Sequence, residues 1–390
     1  MLDLSKLSRQ IYNMTFEFGQ QLDELDCKLN EARKLFEEFD KDPHEWMNKI
    51  DSHDSHFFVA FPKEPISTAH KLPDLDTSYS ILATDGSQIE IDTHEVALCY
   101  VINIGLVAIH YDGNTAPYLD SIPKLFYRDD DIYEYSGGEK TLISSTKLSE
   151  VRSSMEARNL CKLILEEKQD NMAAVGFVDG TLVSWDRAAS AKKDIGAFTG
   201  PLFEDTFKAG ERFATPIGGY ISGSRTSLVV NTLRAKLCNR QFMDCSKCNR
   251  NAPCRQIDGL RDTILFKDIL KKGERSTVFY GGINTLDRKD WPEYRIGFFY
   301  INTGEEIARI EAPDYVLEND GFLDLLHFAA YDQSQKGMGY PISLQEAHHL
   351  AVVRGPEREA FYRLVANTLI DAGLPSRVTN KKLRKFTRLF

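Results

Sequence analysis

Leu4, Leu7, Ile11, Met14, Phe18, Leu22, Leu25 and Leu29 recur at spacings of three and four, with Glu17, Asp23, Lys28 and Glu31 between them. That periodicity predicts a helix across residues 1 to about 50 with one apolar stripe. Two uses of the stripe stand side by side: packing on the rest of the chain, or a coiled-coil-like arm for a partner or a second copy. Residues 51–77, with Pro62, Pro65 and Pro73, read as irregular connection. The pattern then changes to short apolar runs. Tyr79 to Thr84 is one, ending in Asp85-Gly86-Ser87. Val96 to Ile109 predicts a long strand or a hairpin bent near Gly105. Ala173 to Val178 is another run, ending in Asp179-Gly180-Thr181. Between them, residues 149–167 read as a helix with Val151, Met155, Leu160, Leu163 and Ile164 on its apolar face. Two late strands are predicted at 295–302 and 306–311, then helices near 321–330, 343–353 and 357–372. Strands interleaved with helices indicate an α/β fold built on a mixed sheet flanked by helices.

Composition narrows this picture. Apolar residues are 42% of the 390, enough for a real core, so global disorder is excluded. The longest apolar run, Ala97 to Ile109, is broken by Asn103 and too short to span a bilayer, so no membrane segment is expected. The N-terminus lacks the basic-then-apolar pattern of a signal peptide, and a cytoplasmic, reducing location is expected. The formal charge of −10 argues against a uniformly basic nucleic-acid coat but leaves room for a local groove.

The two Asp-Gly-hydroxyl triplets carry the first chemistry. Asp packs poorly at the end of a buried strand, and the following glycine allows a turn and leaves space beside the carboxylate. Carboxylates converging from different elements can hold a hard divalent ion such as Mg²⁺ or Mn²⁺, which can activate water against a phosphodiester. Asp-Gly is also a common turn dipeptide, and spacing alone does not separate the two readings.

Four segments in order carry a resemblance. Ile81-Leu-Ala-Thr-Asp85-Gly-Ser87, Gly176-Phe-Val-Asp179-Gly-Thr181, Ile307-Ala-Arg-Ile-Glu-Ala-Pro313 and the stretch from Gly339-Tyr-Pro to Ala347-His348 together resemble the motifs of the NurA nuclease family. The resemblance implies an RNase H-like fold, related in layout to the nuclease domain of Argonaute proteins. It implies manganese-dependent DNA cleavage, 5′–3′ exonucleolytic and single-strand endonucleolytic, by a homodimer docked on HerA, a hexameric ATPase. Residue by residue, Asp85 and Asp179 match the metal-binding aspartates. Glu156 matches an acidic ligand more loosely, with Glu150 the alternative. His348 matches the C-terminal histidine, as ligand or proton shuttle, and His349 beside it is the other candidate.

Basic and sulfur-bearing residues add two further expectations. The loop Gly218 to Ser227 is rich in glycine and hydroxyls, so its N–H groups and Arg225 could meet phosphate, though an ordinary Gly-Ser loop reads equally well. The C-terminal stretch 377–390 has six Lys or Arg and reads as a DNA- or partner-binding segment or a solvated tail. Cys238, Cys245, Cys248 and Cys254 fall within 17 residues and predict a metal-binding insertion at about 234–258. Their spacing resembles the last three ligands of iron–sulfur nucleases related to AddB, favouring a [4Fe–4S] cluster over Zn²⁺. Arg250 and Arg255 beside them are candidate DNA contacts. Cys27, Cys99 and Cys161 lie on apolar faces and read as packing residues.

The expected organisation is an N-terminal helical arm and connection, 1–77, followed by a nuclease domain, 78–390, carrying the cysteine insertion. The expected function is a divalent-metal-dependent deoxyribonuclease working with a HerA-type ATPase in end resection, repair or defence. The alternative is a catalytically weak DNA-binding adaptor whose cysteine module and arm serve assembly.

Overall fold

The computed structural model describes residues 3–43, 58–75, 78–136, 138–168, 172–183, 202–238, 248, 252–281 and 294–374. The sheet that bears the Asp-Gly triplets begins with β1 (Tyr79–Ile89), β2 (Tyr100–His110) and β3 (Tyr118–Phe126), an antiparallel meander. Helix α1 (Ser145–Glu167) carries the chain to β4 (Ala173–Asp179), which pairs with β1 in parallel, Thr84 beside Val178. The spatial order β3-β2-β1-β4, with only the last pair parallel, is the RNase H-like arrangement.

The near-unbroken apolar runs of β1 and β2 follow from cover on both faces. Thr84 donates its hydroxyl to the Glu156 carbonyl of α1, so that face meets α1. Gly105, paired with Asp85, belongs to the opposite face by strand alternation. There α3 (Ile342–Ala351) lies so close that a Cβ on Gly105 would stand 2.1 Å from the Ala347 carbonyl oxygen. Gly105 is therefore a close-approach glycine inside a continuous strand, and the expected bend is absent. α2 (Glu204–Arg212) is tied to α1 by the Thr206 hydroxyl on the Ala157 carbonyl. α4 (Gly355–Asp371) packs Tyr362 with Ile89 and Val101. These elements belong to one compact unit, 76–179 with 201–217 and 336–390.

The second unit comprises 1–75, 180–200 and 218–335. Its strands Ala60–Pro62, Phe279–Gly281, Ile296–Asn302, Ile307–Pro313 and Ile217–Ile221 follow one another in antiparallel order. The aromatic core includes Phe266, Phe279, Phe298 and Tyr300. The N-terminal helix, Leu4–Phe39, divides its stripe. Ala32, Leu35, Phe36 and Phe39 are buried in this core, whereas Leu4, Ile11, Met14, Phe18 and Leu22 are exposed. The packing reading therefore describes the C-terminal end of the helix, and the rest of the stripe is exposed. Cys27 is exposed, a correction to its reading as a packing residue, because its helix turn lies before the buried stretch; Cys99 is buried. Among the described residues no helix is long and apolar enough to cross a membrane.

Candidate active site

The two triplets fold differently. β1 runs through Asp85-Gly86-Ser87 without turning, so the first triplet lies inside a strand instead of ending one. β4 does end at Asp179, and Gly180 turns the chain with φ +103°. Thr84 and Val178 are the last partners of the parallel pair, so Asp85 and Asp179 are the next residues on adjacent strands. Gly86 is needed for proximity: a Cβ there would lie 2.5 Å from Glu156 Oε1 and 2.8 Å from Arg152 Cγ. The glycine leaves room, as expected, but the occupant of that room is the glutamate of α1.

Each acid has its own surroundings. Asp85 Oδ1 accepts the Gly86 N–H at 2.8 Å, and Oδ2 is 2.8 Å from His348 Nδ1, on α3. His348 is 57% exposed and the Asp85 side chain 15%. Glu156 is only 7% exposed. Burial pushes its carboxyl up to about 8; Arg152 opposes that shift, the charges of Asp85 and Asp179 add to it, and the Gly86 N–H opposes it. Asp179 is exposed at its strand end, yet desolvation of its carboxylate raises its pKa. A hydrogen bond from Tyr340 opposes this, Asp85 adds to it, and His348 and Arg152 oppose it.

The structure therefore brings Asp85, Glu156, Asp179 and His348 into one electrostatic cluster. Glu150 pairs with Lys147 at 2.8 Å, and His349 Nδ1 lies 3.9 Å from Glu346, so neither alternative joins it through a described contact. Two residues of the cluster escaped sequence reasoning as site residues. Arg152 precedes Glu156 by one helical turn, an i,i+4 relation that was readable once the glutamate was chosen. Tyr340 lay within a quoted motif, but only the fold delivers its hydroxyl to Asp179. Among the described residues no group of three or more His, Cys, Asp or Glu side chains is disposed to hold a metal ion. Asp85 is engaged with His348 and Glu156 lies against Gly86. The donor chemistry nevertheless fits a hard divalent ion: three carboxylates from three elements, with an imidazole beside them.

The profile of the NurA domain family matches residues 79–353. The chain belongs to the NurA family. That interval contains every member of the acidic cluster, and membership makes the protein a nuclease by family. Among solved structures, the NurA nuclease from Sulfolobus solfataricus is similar at 13% identity with a TM-score of 0.49, covering 93% of this chain and 98% of that one. The catalytic domain of human Endonuclease V is similar at 12% identity and a TM-score of 0.32, over 86% and 99%. Marinitoga piezophila Argonaute in complex with a 5′ OH guide RNA is similar at 11% identity and a TM-score of 0.28, over 72% and 31%. No curated protein sequence matches the chain.

The remaining predicted residues fall elsewhere. Arg225 is exposed in the loop after strand Ile217–Ile221. That loop spends polar groups internally: the Ser222 hydroxyl and Gly223 N–H donate to Glu306 at 2.8 and 3.0 Å. Cys238 caps the helix Leu228–Leu237, and Cys254 sits in the 3-10 turn Pro253–Ile257. Arg234 Nε donates to the Cys254 carbonyl at 3.0 Å, so the first and last cysteine segments are neighbours. Arg255 is exposed on that turn. Cys245, Arg250 and the basic stretch 377–390 lie outside the described residues.

Proposed function

We propose that this NurA-family protein is a divalent-metal-dependent deoxyribonuclease whose centre is formed by Asp85, Glu156, Asp179 and His348. The observation that carries this reading is the clustering of three carboxylates and an imidazole, drawn from β1, α1, β4 and α3. Manganese or magnesium bound there supplies an activated water and neutralises charge on a phosphodiester. Asp85, Glu156 and Asp179 hold it through oxygen. His348, with Nδ1 committed to Asp85, has Nε2 left to exchange a proton or to ligate. DNA is the substrate in this reading, cut exonucleolytically 5′–3′ and endonucleolytically on single strands. A HerA-type ATPase and a second copy are the partners, in a cytoplasmic resection, repair or defence role. Residues 78–390 form the nuclease part and 1–77 an N-terminal helical arm and connection. Arg225, Arg250 and Arg255 contact DNA, and Cys238, Cys245, Cys248 and Cys254 hold a [4Fe–4S] cluster or Zn²⁺.

The test is cleavage of linear and single-stranded DNA with Mn²⁺, wild type beside Asp85→Ala. Cutting by wild type and its loss in the variant support the centre; equal cutting by both removes it. The alternative is a catalytically weak DNA-binding adaptor whose cysteine module and arm serve assembly. DNA binding without cleavage in either protein would establish that reading instead. For the cysteines, broad visible absorbance in anaerobically purified protein indicates iron–sulfur, and a colourless protein with stoichiometric zinc indicates Zn²⁺.

A further inference from the structure

Arg152 is built into the acidic cluster yet is poorly used by it. Its Nε is buried without a hydrogen-bond partner, standing 3.3 Å from Glu156 Oε1. The contact is an electrostatic approach and not a hydrogen bond. The side chain as a whole is about one-third exposed. No described residue accepts a hydrogen bond from its terminal nitrogens. A guanidinium placed only to neutralise Glu156 would be expected to grip it with two parallel N–H groups, as Arg309 grips Glu311 with Nε at 3.0 Å and Nη2 at 2.8 Å. Arg152 instead keeps its fork uncommitted, beside Glu156 and within the field of Asp179. Its stem passes over Gly86, where any side chain would collide with its Cγ, so the strand fixes where the charge stands. A planar fork of free donors at the edge of an anionic cluster matches two oxygens of a phosphodiester.

We propose that Arg152 binds a backbone phosphate of the nucleic-acid substrate, holding it against the acidic cluster. This rests on the reading of the cluster as a nuclease centre. The favourable charge is local: the neighbouring aspartates Asp85 and Asp179 repel a phosphate, and Arg152 supplies the opposing sign inside the cluster.

The experiment uses the full chain, a fluorescent single-stranded oligonucleotide and Ca²⁺ in place of the catalytic ion. Anisotropy gives affinity across a salt series for wild type, Arg152→Met and Arg152→Lys. Methionine keeps much of the apolar stem, and lysine keeps the charge without the fork. Arg152→Met is expected to weaken binding about tenfold, the scale of one charge-assisted hydrogen bond. It should also lower the slope of log affinity against log salt by about 0.7, one phosphate contact on a single strand. Arg152→Lys should restore the slope but only part of the affinity. Calorimetric Mn²⁺ affinity without DNA is measured alongside, because Arg152 also acts on the charge of Glu156.

Wild-type DNA affinity and slope in Arg152→Met overturn the proposal. Tighter Mn²⁺ binding with unaltered DNA binding overturns it too, making Arg152 a counter-charge to Glu156. If methionine unfolds the chain, the lysine variant decides alone: affinity equal to wild type removes the fork from the argument. Wild type that binds DNA but fails to cut with Mn²⁺ sinks the nuclease reading and leaves the Arg152 result legible. Wild type with no DNA affinity sinks both.

Discussion

Glu311 and Glu156 are both withdrawn from water, but the protein treats them differently. Glu311, on strand Ile307–Pro313, is 0% exposed and receives four donors. Arg309 gives two, and the Thr181 hydroxyl and Leu182 N–H give the others at 2.7 and 2.9 Å. Arg309 is itself packed over the Phe298 ring, 3.6 Å from its centroid, so the pair is a closed structural unit. Glu156 has Arg152 at a non-bonding angle and the Gly86 N–H, with two further acids in its field. A buried carboxylate saturated by donors is spending its charge on architecture. One left short of donors among other acids is available for chemistry. The lesson is that burial of an acid does not mark a site; the deficit of donors does.

The sharpest way to break this contrast is Glu156→Gln. Mn²⁺-dependent cleavage should fall about a thousandfold, roughly 4 kcal/mol of barrier, with thermal stability unchanged or raised, because the amide mimics the protonated acid. Retained cleavage would place Glu156 with Glu311 among structural acids. Next in size, Glu311→Gln should cost about 3–5 kcal/mol in chemical denaturation, since Arg309 is left buried without its counter-charge. A loss below 1 kcal/mol would dissolve the distinction from the other side.

A pH series separates the two acids further. Glu156 has its pKa raised by burial to about 8 in the fold, so the folded chain holds a proton that the unfolded chain releases near 4.5. Its stabilising effect is complete below about pH 4.5 and is lost as pH rises through about 8, with a slope of at most about 1.4 kcal/mol per pH unit. The difference in stability between wild type and Glu156→Gln, measured without divalent ions, should follow that fall; a flat difference would count against a protonated Glu156. The smallest effect expected is Ser87→Ala. Its hydroxyl donates to the Ala351 carbonyl at the end of α3, and its loss should cost about 1 kcal/mol in denaturant midpoint analysis.

Much of this was legible from residue order. Apolar periodicity locates β2, β4 and α1 and the first half of β1, because runs covered on both faces have little choice of state, but it stops β1 at Thr84 where the strand continues to Ile89. Asp85 and Asp179 stood out because a charge closing an apolar run needs a reason. What periodicity could not supply was depth. Glu150 and Glu156 lie on one helix, and only packing against Gly86 separates the buried one from the one paired with Lys147. His348 and His349 are adjacent, and strand register decides which meets Asp85. Periodicity leaves Gly86 between a turn and a spacer and Gly105 between a continuous strand and a bend, whereas both are close-approach positions within continuous strands, a property of the helix opposite. Arg152 is legible only as an i,i+4 neighbour of Glu156, and Tyr340 only as part of the Tyr-Pro motif, since the hydroxyl of Tyr340 matters through a carboxylate on another element.

The N-terminal helix is seated at one end and bare along the other, where Leu4, Ile11, Met14, Phe18 and Leu22 face solvent. If a second chain covers that bare length, its cover is tied to mass action, and properties of the chain should then drift with dilution: nanomolar assays and micromolar purification would sample different populations, and trimming the helix before Leu25 would remove the drift while sparing the turns that reach the interior.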